Sequence, residues 1–308
     1  MRVMITGING FVGKHLSGYL KKKGFDILGV DITSGSDFQG DISSQDFVFN
    51  ELSKAEFDSI IHLAALADIK KTTEDPYSTY KVNVYGTLNM LELASRRNVS
   101  RFLYASSANV YGVPVDRPAT EGTPFNPRLP YDYSKVLSEM LVRSYSTHKK
   151  LSVSITRSWL LFGEGEPPTR AIPRFVRACL SNKAIPLYNS GQDVTDPTHA
   201  ENYGRIVELI LTRNEAIGEA FNVGSGNKMS IKEIAETVKK VTNSSSTLEL
   251  LPPRTEFEKE PQISYPSIDK LRKKLGYEQI VSFERGIDRV VKWIRDTENP
   301  PEKANIFS

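Results

Sequence analysis

Cysteine is almost absent from this 308-residue sequence, in which Cys179 is the only one. An internal disulfide and a cysteine-rich metal cluster are therefore excluded, and we expect no metal site. Long apolar runs are missing too: the longest, near Ile60 to Ala67, has about eight residues, whereas a bilayer-spanning helix needs roughly 20. We therefore expect no membrane association.

Charge of one sign is not in excess either, because 40 basic residues stand against 37 acidic residues. The sequence does not indicate the kind of basic patch that binds nucleic acid, so we expect no nucleic-acid partner. The chain opens on Val3-Met4-Ile5 and then glycines, rather than on a charged leader followed by a long apolar block. Together with the scarcity of cysteine, this favours a cytoplasmic protein.

Short apolar runs with strand propensity alternate with longer amphipathic segments through the first half of the chain. This alternation is typical of βαβ units around a parallel sheet, so we predict a Rossmann-type doubly wound α/β fold. The predicted strands are Val3 to Thr6, Phe25 to Asp31, Ile60 to Leu63, Phe102 to Ala105 and Val153 to Arg157, with a weaker strand before Asp41. The predicted helices lie near Val12 to Lys22, Val82 to Arg97 and Ser134 to His148.

Gly7, Gly10 and Gly13 fall between the first predicted strand and the first predicted helix. Glycines there permit a tight turn, close approach of backbone N–H groups to a pyrophosphate, and close packing of helix on sheet. The helix N-terminus also favours the negative charge of the pyrophosphate. On its own, this spacing is equally compatible with a purely structural turn.

Asp31, at the end of the second predicted strand, strengthens the nucleotide interpretation. A carboxylate there accepts hydrogen bonds from ribose hydroxyls and repels a 2′-phosphate, which predicts NAD rather than NADP. A solvated strand-end Asp is the alternative. Asp41 and Ile42 are candidates for contact with the adenine ring, although an ordinary loop Asp fits equally well.

Tyr131 and Lys135 stand one helical turn apart. A phenol with its ordinary pKa of about 10 is a poor base at neutral pH, but an ammonium group on the same helix face stabilises the phenolate. The pair is therefore predicted to move a proton on an alcohol beside a redox cofactor.

Further short motifs accompany the glycines and the Tyr–Lys pair. They are His62-Leu63-Ala64-Ala65, Asn83-x-x-Gly86, Ser106 to Gly112, Phe221 to Gly224, Ile268 to Leu271 and Leu275 to Tyr277. Together they resemble the extended short-chain dehydrogenase/reductase family, in its nucleotide-sugar epimerase and dehydratase branch, over nearly the whole chain. The resemblance implies NAD, a nucleotide-diphosphate sugar as substrate, and a homodimer that pairs the helices Val82 to Arg97 and Ser134 to His148.

The same resemblance assigns roles to particular residues. Ser107 is expected to hydrogen-bond the reacting sugar oxygen, Tyr131 to exchange its proton, and Lys135 to lower the pKa of the tyrosine while holding the nicotinamide ribose. The implied cofactor-binding residues are Gly7, Gly10, Phe11, Val12, Gly13, Asp31, Asp41, Ile42, Leu63, Ala64, Ala65, Asn83, Tyr131 and Lys135. The implied substrate-binding residues are Thr72, Ser107, Ala108, Asn109, Arg174 and Arg254.

The two residues after Ser107 bear on the reaction. Dehydratases and decarboxylases of the branch carry acidic residues there, whereas this chain has Ala108 and Asn109. The resemblance therefore implies a sugar 4-epimerase. In that reaction Tyr131 takes the 4-hydroxyl proton as NAD⁺ accepts the C4 hydride, the 4-keto sugar turns, and hydride returns to the opposite face.

Two departures from the family pattern fall on the substrate side. Leu160 stands where the family usually has Asn, and Thr195 where members commonly carry a diphosphate-binding Arg. Arg254 matches the family's remaining diphosphate-binding Arg, and Arg170 or Arg174 is a candidate for a second charge, unless both are solvated helix-start residues. Two alternatives stay open: a nucleotide-linked 4-keto-6-deoxysugar reductase, and a non-catalytic NAD(P)-sensing protein that kept only the fold.

The length of the chain suits one large domain with a smaller one built onto it. We predict an NAD-binding Rossmann domain over residues 1–158, to which about 186–224 return. A smaller mixed α/β substrate-binding domain is predicted over residues 159–185 and 225–298, with a tail at 299–308.

Overall fold

The computed structural model describes residues 1–112, 117–253 and 259–298, so Arg254 and the predicted tail at 299–308 lie outside the described residues. Its strands are β1 (Arg2–Thr6), β2 (Asp26–Asp31), β3 (Phe38–Gln39), β4 (Ser59–His62), β5 (Arg101–Ser107), β6 (Val153–Ser158), β7 (Leu160–Phe162), β8 (Ile185–Tyr188), β9 (Val194–Thr195), β10 (Pro197–His199), β11 (Ala220–Val223), β12 (Met229–Ser230) and β13 (Leu248–Leu251). Its α-helices are α1 (Phe11–Lys22), α2 (Ile69–Glu74), α3 (Pro76–Tyr80), α4 (Gly86–Arg96), α5 (Pro130–Lys149), α6 (Ala171–Leu180), α7 (Ala200–Thr212), α8 (Ile231–Thr242), α9 (Asp269–Leu275) and α10 (Phe283–Glu298). Short 3₁₀ or π turns lie at Phe47–Glu51, Leu52–Lys54, Lys81–Tyr85, Ala108–Tyr111, Asn189–Gly191 and Asn214–Ala216.

Seven parallel strands form one sheet in the order β11-β6-β5-β4-β1-β2-β3. The strand order reverses at β1, because β2 and β3 extend to one side of it and β4, β5 and β6 to the other. At such a switch point, a crevice opens beyond the carboxyl ends of the strands, where ligands bind in this architecture. The predicted Rossmann-type doubly wound fold is confirmed.

Helices cover both faces of this sheet, because successive strand residues point to opposite sides. Met4 packs on one face in a core with residues of α4 and α5. Its neighbours Val3 and Ile5 pack on the other face with residues of α1 and α7. All three side chains are fully buried, as expected for a parallel strand covered on both faces.

A third apolar core lies in the C-terminal half, where Phe175 of α6, Ile234 of α8 and Ile287 of α10 are buried together. The start of α8 follows the sequence, since Ser230 and Glu233 form a capping box of reciprocal hydrogen bonds. Strand β11 joins the large sheet beside β6, whereas β8 pairs with β13 in a separate two-stranded sheet. The domain boundaries given above remain a prediction.

Two general features of the described chain bear on function. Across residues 1–112, 117–253 and 259–298, no helix combines the length and the apolarity that a membrane crossing requires. Within the same residues, no group of three or more His, Cys, Asp or Glu side chains is arranged to hold a metal ion.

Candidate functional site

Two positions at the turn between β1 and α1 have room for glycine only. Gly7 has a φ of +74°, and a Cβ built on it would lie 2.9 Å from the backbone nitrogen of Ala64. A Cβ on Gly13 would lie 2.3 Å from the carbonyl oxygen of Gly7. Because both obstacles are backbone, neither can move aside cheaply. The turn therefore brings the N-terminus of α1 against the carboxyl ends of β1 and β4, where backbone N–H groups attract an anion.

A cavity of about 480 Å³ opens above this turn, and we call it the nucleotide cavity. Asp31 lies in its wall, and its carboxylate accepts hydrogen bonds from the backbone N–H of Asn9 (2.9 Å) and from the backbone N–H and hydroxyl of Thr33 (2.9 and 2.8 Å). The structure thus fixes the Asp31 carboxylate at the edge of the cavity. The predicted cofactor-binding residues that line it are Gly7, Gly10, Phe11, Val12, Gly13, Asp31, Asp41, Ile42, Leu63, Ala64 and Ala65.

Asn83 has a different place from the other predicted cofactor residues. It is 1% exposed, and its side-chain amide bonds both the N–H and the carbonyl of Leu66 (2.8 and 3.0 Å) and the hydroxyl of Ser134 (2.9 Å). Leu66 lies in the wall of the nucleotide cavity. Asn83 therefore holds the loop after β4 against α5, and it supports the cavity wall from behind.

A second cavity of about 550 Å³ adjoins the first, and we call it the catalytic cavity. The two share wall residues from α1 and from the loop after β4, which are Phe11, Val12, Leu63, Ala65 and Ala67. Ser107 at the end of β5 lines the catalytic cavity together with Tyr131 and Lys135 in the first turns of α5. The three predicted catalytic residues are therefore brought together where a cofactor and a substrate can meet.

The electrostatics of Tyr131 differ from the sequence expectation. Burial raises the pKa of Tyr131 to about 12, although the Ser107 hydroxyl and the charge of Arg170 act in the opposite direction. The Lys135 ammonium lies 5.8 Å from the centre of the Tyr131 ring and donates a hydrogen bond to the carbonyl of Ala105 (2.8 Å). Burial therefore favours the neutral phenol of Tyr131 in the protein without cofactor. That Lys135 lowers this pKa stays a prediction.

The pKa of Lys135 is also shifted by its surroundings. It is 4% exposed, and burial lowers its pKa to about 8 against the opposing attraction of Glu139. His62, on β4 beside β5, is 1% exposed and is hydrogen-bonded to the hydroxyls of Thr6 and Thr87. Burial, together with the charge of Lys135, lowers the pKa of His62 to about 3, so this histidine is neutral and acts in packing.

Asn109 is tied to a carboxylate that the sequence motifs did not reveal. Its amide donates to one oxygen of Asp132 (3.0 Å), and the other oxygen accepts from the backbone N–H groups of Arg128 and Leu129 (3.1 and 3.0 Å). Asp132 caps the first turn of α5 and lines the catalytic cavity. Its position after Pro130, at the start of a helix, was the available signal, because acidic residues are favoured there.

The substrate side of the catalytic cavity is formed by distant segments. Ala108, Asn109, Leu160 and Thr195, singled out from the sequence, all line it. Trp159 does so too, and its ring donates to the hydroxyl of Ser264 (3.0 Å), another wall residue. These contacts join the end of β6 to the segment before α9, which no local sequence pattern indicated.

Of the two arginines that the sequence offered for a second charge, one lines this cavity. Arg128 and Arg170 line it, whereas Arg174 is exposed on α6 and is not part of its wall. Arg170 precedes the helix, and Arg174 lies one turn into it on the face turned to solvent.

Thr72, predicted from the resemblance to bind substrate, is not among the residues that line the catalytic cavity. It is 1% exposed and donates its hydroxyl to the carbonyls of Asp68 and Ile69 in its own helical turn.

Comparison with known proteins agrees with this geometry. UDP-glucuronic acid decarboxylase 1 of Danio rerio is 30% identical to this chain, over 95% of this chain and 72% of its own length. The structure of an epimerase from Methanothermobacter thermautotrophicus superposes with a TM-score of 0.86 at 29% identity, covering 96% of this chain and 92% of that one. The dTDP-glucose 4,6-dehydratase DesIV of Streptomyces venezuelae, solved with NAD bound, has a TM-score of 0.86 at 26% identity, with 97% and 98% covered.

The profile of the NAD dependent epimerase/dehydratase family matches residues 3–224, which is more than half of the chain. The glycine turn, the fixed Asp31 and the adjoining cavities fit NAD as the cofactor of that family. The chain belongs to the NAD-dependent epimerase/dehydratase family, within the nucleotide-sugar enzymes of the extended short-chain dehydrogenases/reductases.

Proposed function

We propose that this protein is a nucleotide-sugar 4-epimerase. The observation that carries the proposal is the hydrogen bonding of the carboxylate in the catalytic cavity. Among the described residues that line this cavity, Asp132 is the one carboxylate, and its two oxygens accept from three donors in all. Three of its roughly four acceptor positions are therefore occupied, which leaves it little capacity to assist removal of water or loss of CO₂.

In the proposed reaction, the C4 hydroxyl of the sugar lies against Ser107 and Tyr131. Ser107 donates a hydrogen bond to the C4 oxygen, and Tyr131 accepts its proton and later returns it. The residues of the nucleotide cavity would hold NAD, which would supply the hydride acceptor and donor for oxidation and reduction at C4. The positive charge of the oxidised cofactor also favours the phenolate of Tyr131, which opposes the raising of its pKa by burial.

An epimerase must let its 4-keto sugar turn between the two hydride transfers. Leu160 and Leu161 form part of the wall of the catalytic cavity. Side chains without hydrogen-bonding groups hold no particular sugar face, so they leave the ring free to rotate. In this proposal the loss of the family's usual Asn at position 160 suits the reaction.

The diphosphate of the substrate needs positive charge, and we propose that Arg128 supplies part of it. Its guanidinium lines the catalytic cavity and bonds the side-chain carbonyl of Gln262 (3.2 Å), a residue of the segment that also carries Ser264. Arg254, matched to a diphosphate-binding position from the sequence, remains a second candidate. Guanidinium groups suit phosphate because they donate paired hydrogen bonds.

A panel of nucleotide sugars tests the proposal. The purified protein is incubated with UDP-, GDP-, CDP- and dTDP-linked hexoses, and the products and bound cofactor are analysed. We expect one class of hexose to be converted to its C4 epimer without net consumption of added NAD. A 4-keto-6-deoxy product, or release of CO₂, would contradict the proposal.

A 4-keto-6-deoxysugar reductase is the second candidate, and the wall of the catalytic cavity favours it in one respect. Thr195 stands where members of the family commonly carry a diphosphate-binding Arg, and Trp159 is part of the same wall. A reductase uses its cofactor once per cycle. Stoichiometric oxidation of NADH or NADPH with a 4-keto sugar would therefore favour the reductase over the epimerase.

We also propose a homodimer through α4, α5 and the turns that precede α4. These neighbouring elements carry several large exposed side chains, and a contiguous exposed apolar patch marks an interaction surface. They are Tyr85, Tyr133, Leu137 and Met140, which are 42–62% exposed. Sedimentation at micromolar concentration is expected to show twice the mass of one chain, and a monomer would contradict the proposal.

A further inference from the structure

A buried ion pair lies on the catalytic helix, one turn beyond Lys135. Glu139 is fully buried and Arg157, on β6, is 1% exposed. The guanidinium of Arg157 donates to both oxygens of the Glu139 carboxylate, at 2.9 Å and 3.2 Å from Nε and 2.6 Å from Nη2. Two ions taken out of water in this way are costly unless they are well paired, and this pair has the bidentate geometry that compensates.

The remaining donor capacity of Arg157 is also used. Its Nη1 donates to the hydroxyl of Tyr111 (2.6 Å) and to the carbonyl of Glu121 (3.0 Å). Tyr111 in turn donates to the side chain of Asn222 on β11 (2.7 Å), and its ring stacks on Trp159 in the wall of the catalytic cavity (5.7 Å between centres). Arg157 therefore locks the catalytic helix to the sheet and fixes the Glu139 carboxylate in one place.

The side chains that face Lys135 from the neighbouring elements do not stabilise its positive charge by carrying a negative one. Its ammonium donates to the carbonyl of Ala105, and the side chains that face it from the neighbouring elements are His62 on β4 and Tyr104 on β5. Burial lowers the pKa of His62 and raises the pKa of Tyr104, so both are neutral. Tyr131, on its own helix, is a neutral phenol at rest. Glu139 lies four residues after Lys135 on the same face of α5, and both side chains are buried. Its carboxylate is therefore the negative charge that acts on the Lys135 ammonium against burial.

We propose that Glu139, held in place by Arg157, is a positioning residue that keeps the Lys135 ammonium charged in the buried catalytic site. The proposal deepens the proposed epimerase function, since a charged Lys135 is what favours the phenolate of Tyr131 when substrate reacts. Lys135, Glu139 and Arg157 together carry one net positive charge, and the Lys135 ammonium lies 5.8 Å from the centre of the Tyr131 ring. Loss of the Glu139 charge leaves Lys135 to give up its proton at a lower pH.

The test compares Glu139→Gln with Glu139→Asp and with wild type in two measurements. The first is NMR titration of the side-chain methylene next to the Lys135 amine, which needs no substrate. We expect Glu139→Gln to lower the pKa of Lys135 by about one unit or more, while Glu139→Asp, which keeps the charge, holds it within about half a unit of wild type. An unchanged Lys135 pKa in Glu139→Gln would overturn the proposal.

The second measurement is the pH profile of kcat. A catalytic role for charged Lys135 means that activity is present below its pKa and is lost as pH rises through it. The alkaline limb of Glu139→Gln is therefore expected at lower pH than that of wild type, by the shift seen in the titration. A variant that only loosened the structure would lower kcat at every pH without moving this limb, and that result would overturn the proposal.

Arg143→Met is the matched control, because Arg143 reaches the same Glu139 carboxylate at 3.9 Å from the solvent side and is 49% exposed. Water screens such a charge, so the titration of Lys135 and the alkaline limb are expected to stay in place. If Glu139→Gln does not fold, the double variant Glu139→Leu/Arg157→Met replaces the pair with apolar groups, which buried pairs often tolerate. The guanidinium is lost there together with the carboxylate that acts on Lys135, so the Lys135 pKa is expected to fall by less than in Glu139→Gln, and an unchanged or higher value would overturn the proposal.

Failure of the proposed function is distinguishable from failure of this inference. If the wild-type protein converts no nucleotide sugar, the epimerase proposal fails, whereas the NMR titration still reports whether Glu139 sets the charge of Lys135. If the protein is an epimerase and the Lys135 pKa does not respond to Glu139, the inference alone is overturned.

Discussion

The nucleotide cavity and the catalytic cavity share five wall residues, yet they are built in different ways. The glycine turn, the helix N-terminus and Asp31 of the nucleotide cavity come from the first 31 residues of the chain. The substrate side of the catalytic cavity is made of side chains from segments as far apart as Ala108, Leu160 and Ser264. The glycine turn can be encoded by a few consecutive residues, whereas the substrate side depends on how the whole chain folds.

The largest expected effect falls in the catalytic cavity, which Tyr131 lines. Tyr131→Phe removes the group that exchanges the proton, so kcat should fall by roughly 10²–10⁴-fold while NAD affinity changes little. Turnover of nucleotide sugar and titration with NAD measure the two quantities. Tyr133→Phe, an exposed phenol on the same helix, is the control and should retain activity. Comparable turnover in Tyr131→Phe and wild type would remove Tyr131 from the mechanism.

A single methyl group added in the glycine turn is expected to lower the affinity for NAD. Gly13→Ala places a Cβ 2.3 Å from a backbone oxygen, so the turn must open and NAD affinity should fall by at least about 10-fold, the effect of roughly 1.4 kcal/mol. Gly18→Ala lies on the same helix with no atom within 4 Å of the new Cβ, and it should leave NAD affinity unchanged. Equal NAD affinity in the two variants would show that the turn is not where the pyrophosphate binds.

The substrate side can be probed with two arginines that differ by one helical turn. Arg170→Met removes a cation from the wall of the catalytic cavity and should raise the KM for the nucleotide sugar about 10-fold, as expected for one charge-assisted contact of roughly 1.5–3 kcal/mol that is partly replaced by water. Arg174→Met removes an exposed cation outside the wall and should leave KM within about two-fold. A larger effect at Arg174 than at Arg170 would restore the assignment made from the sequence.

The smallest expected effect concerns cofactor choice. Asp31→Ala removes the carboxylate that accepts ribose hydroxyls and repels a 2′-phosphate, so the preference for NAD over NADP should narrow severalfold. The Kd values of both cofactors, measured on the same preparation, give the ratio. Because Asp31 also bonds Asn9 and Thr33, Asp31→Asn is the informative partner variant: it removes the charge with the least change of shape. An unchanged ratio in both variants would contradict the ribose assignment.

The sequence predicted the nucleotide cavity and the catalytic residues better than the substrate side. The parallel sheet, the glycine turn and the meeting of Ser107, Tyr131 and Lys135 all follow from local periodicity and short motifs. Asp132 and Arg128 were missed, since their importance comes from the start of α5 folding against the turn that carries Asn109. Arg174 and Thr72 were misplaced relative to the cavity because a one-turn difference on a helix, or a hydroxyl bonded within its own turn, is not visible in a motif.

The pKa of Tyr131 shows the same limit in energetic terms. The sequence places an ammonium near a phenol, which argues for a lower pKa. The fold adds burial, which raises the pKa of Tyr131 to about 12. Only the depth of the pocket decides between the two effects, and that depth depends on packing across the whole cavity.

The central claim is reversible oxidation at C4 without elimination, and isotope tracing tests it most directly. A nucleotide hexose deuterated at C4 is incubated with the protein in ordinary water, and an unlabelled one in deuterium oxide. The account predicts that the C4 epimer keeps its deuterium in the first experiment and gains no deuterium on carbon in the second. Loss of the C4 label to water, or solvent deuterium at C5 or C6 with a 4-keto-6-deoxy product, would contradict it.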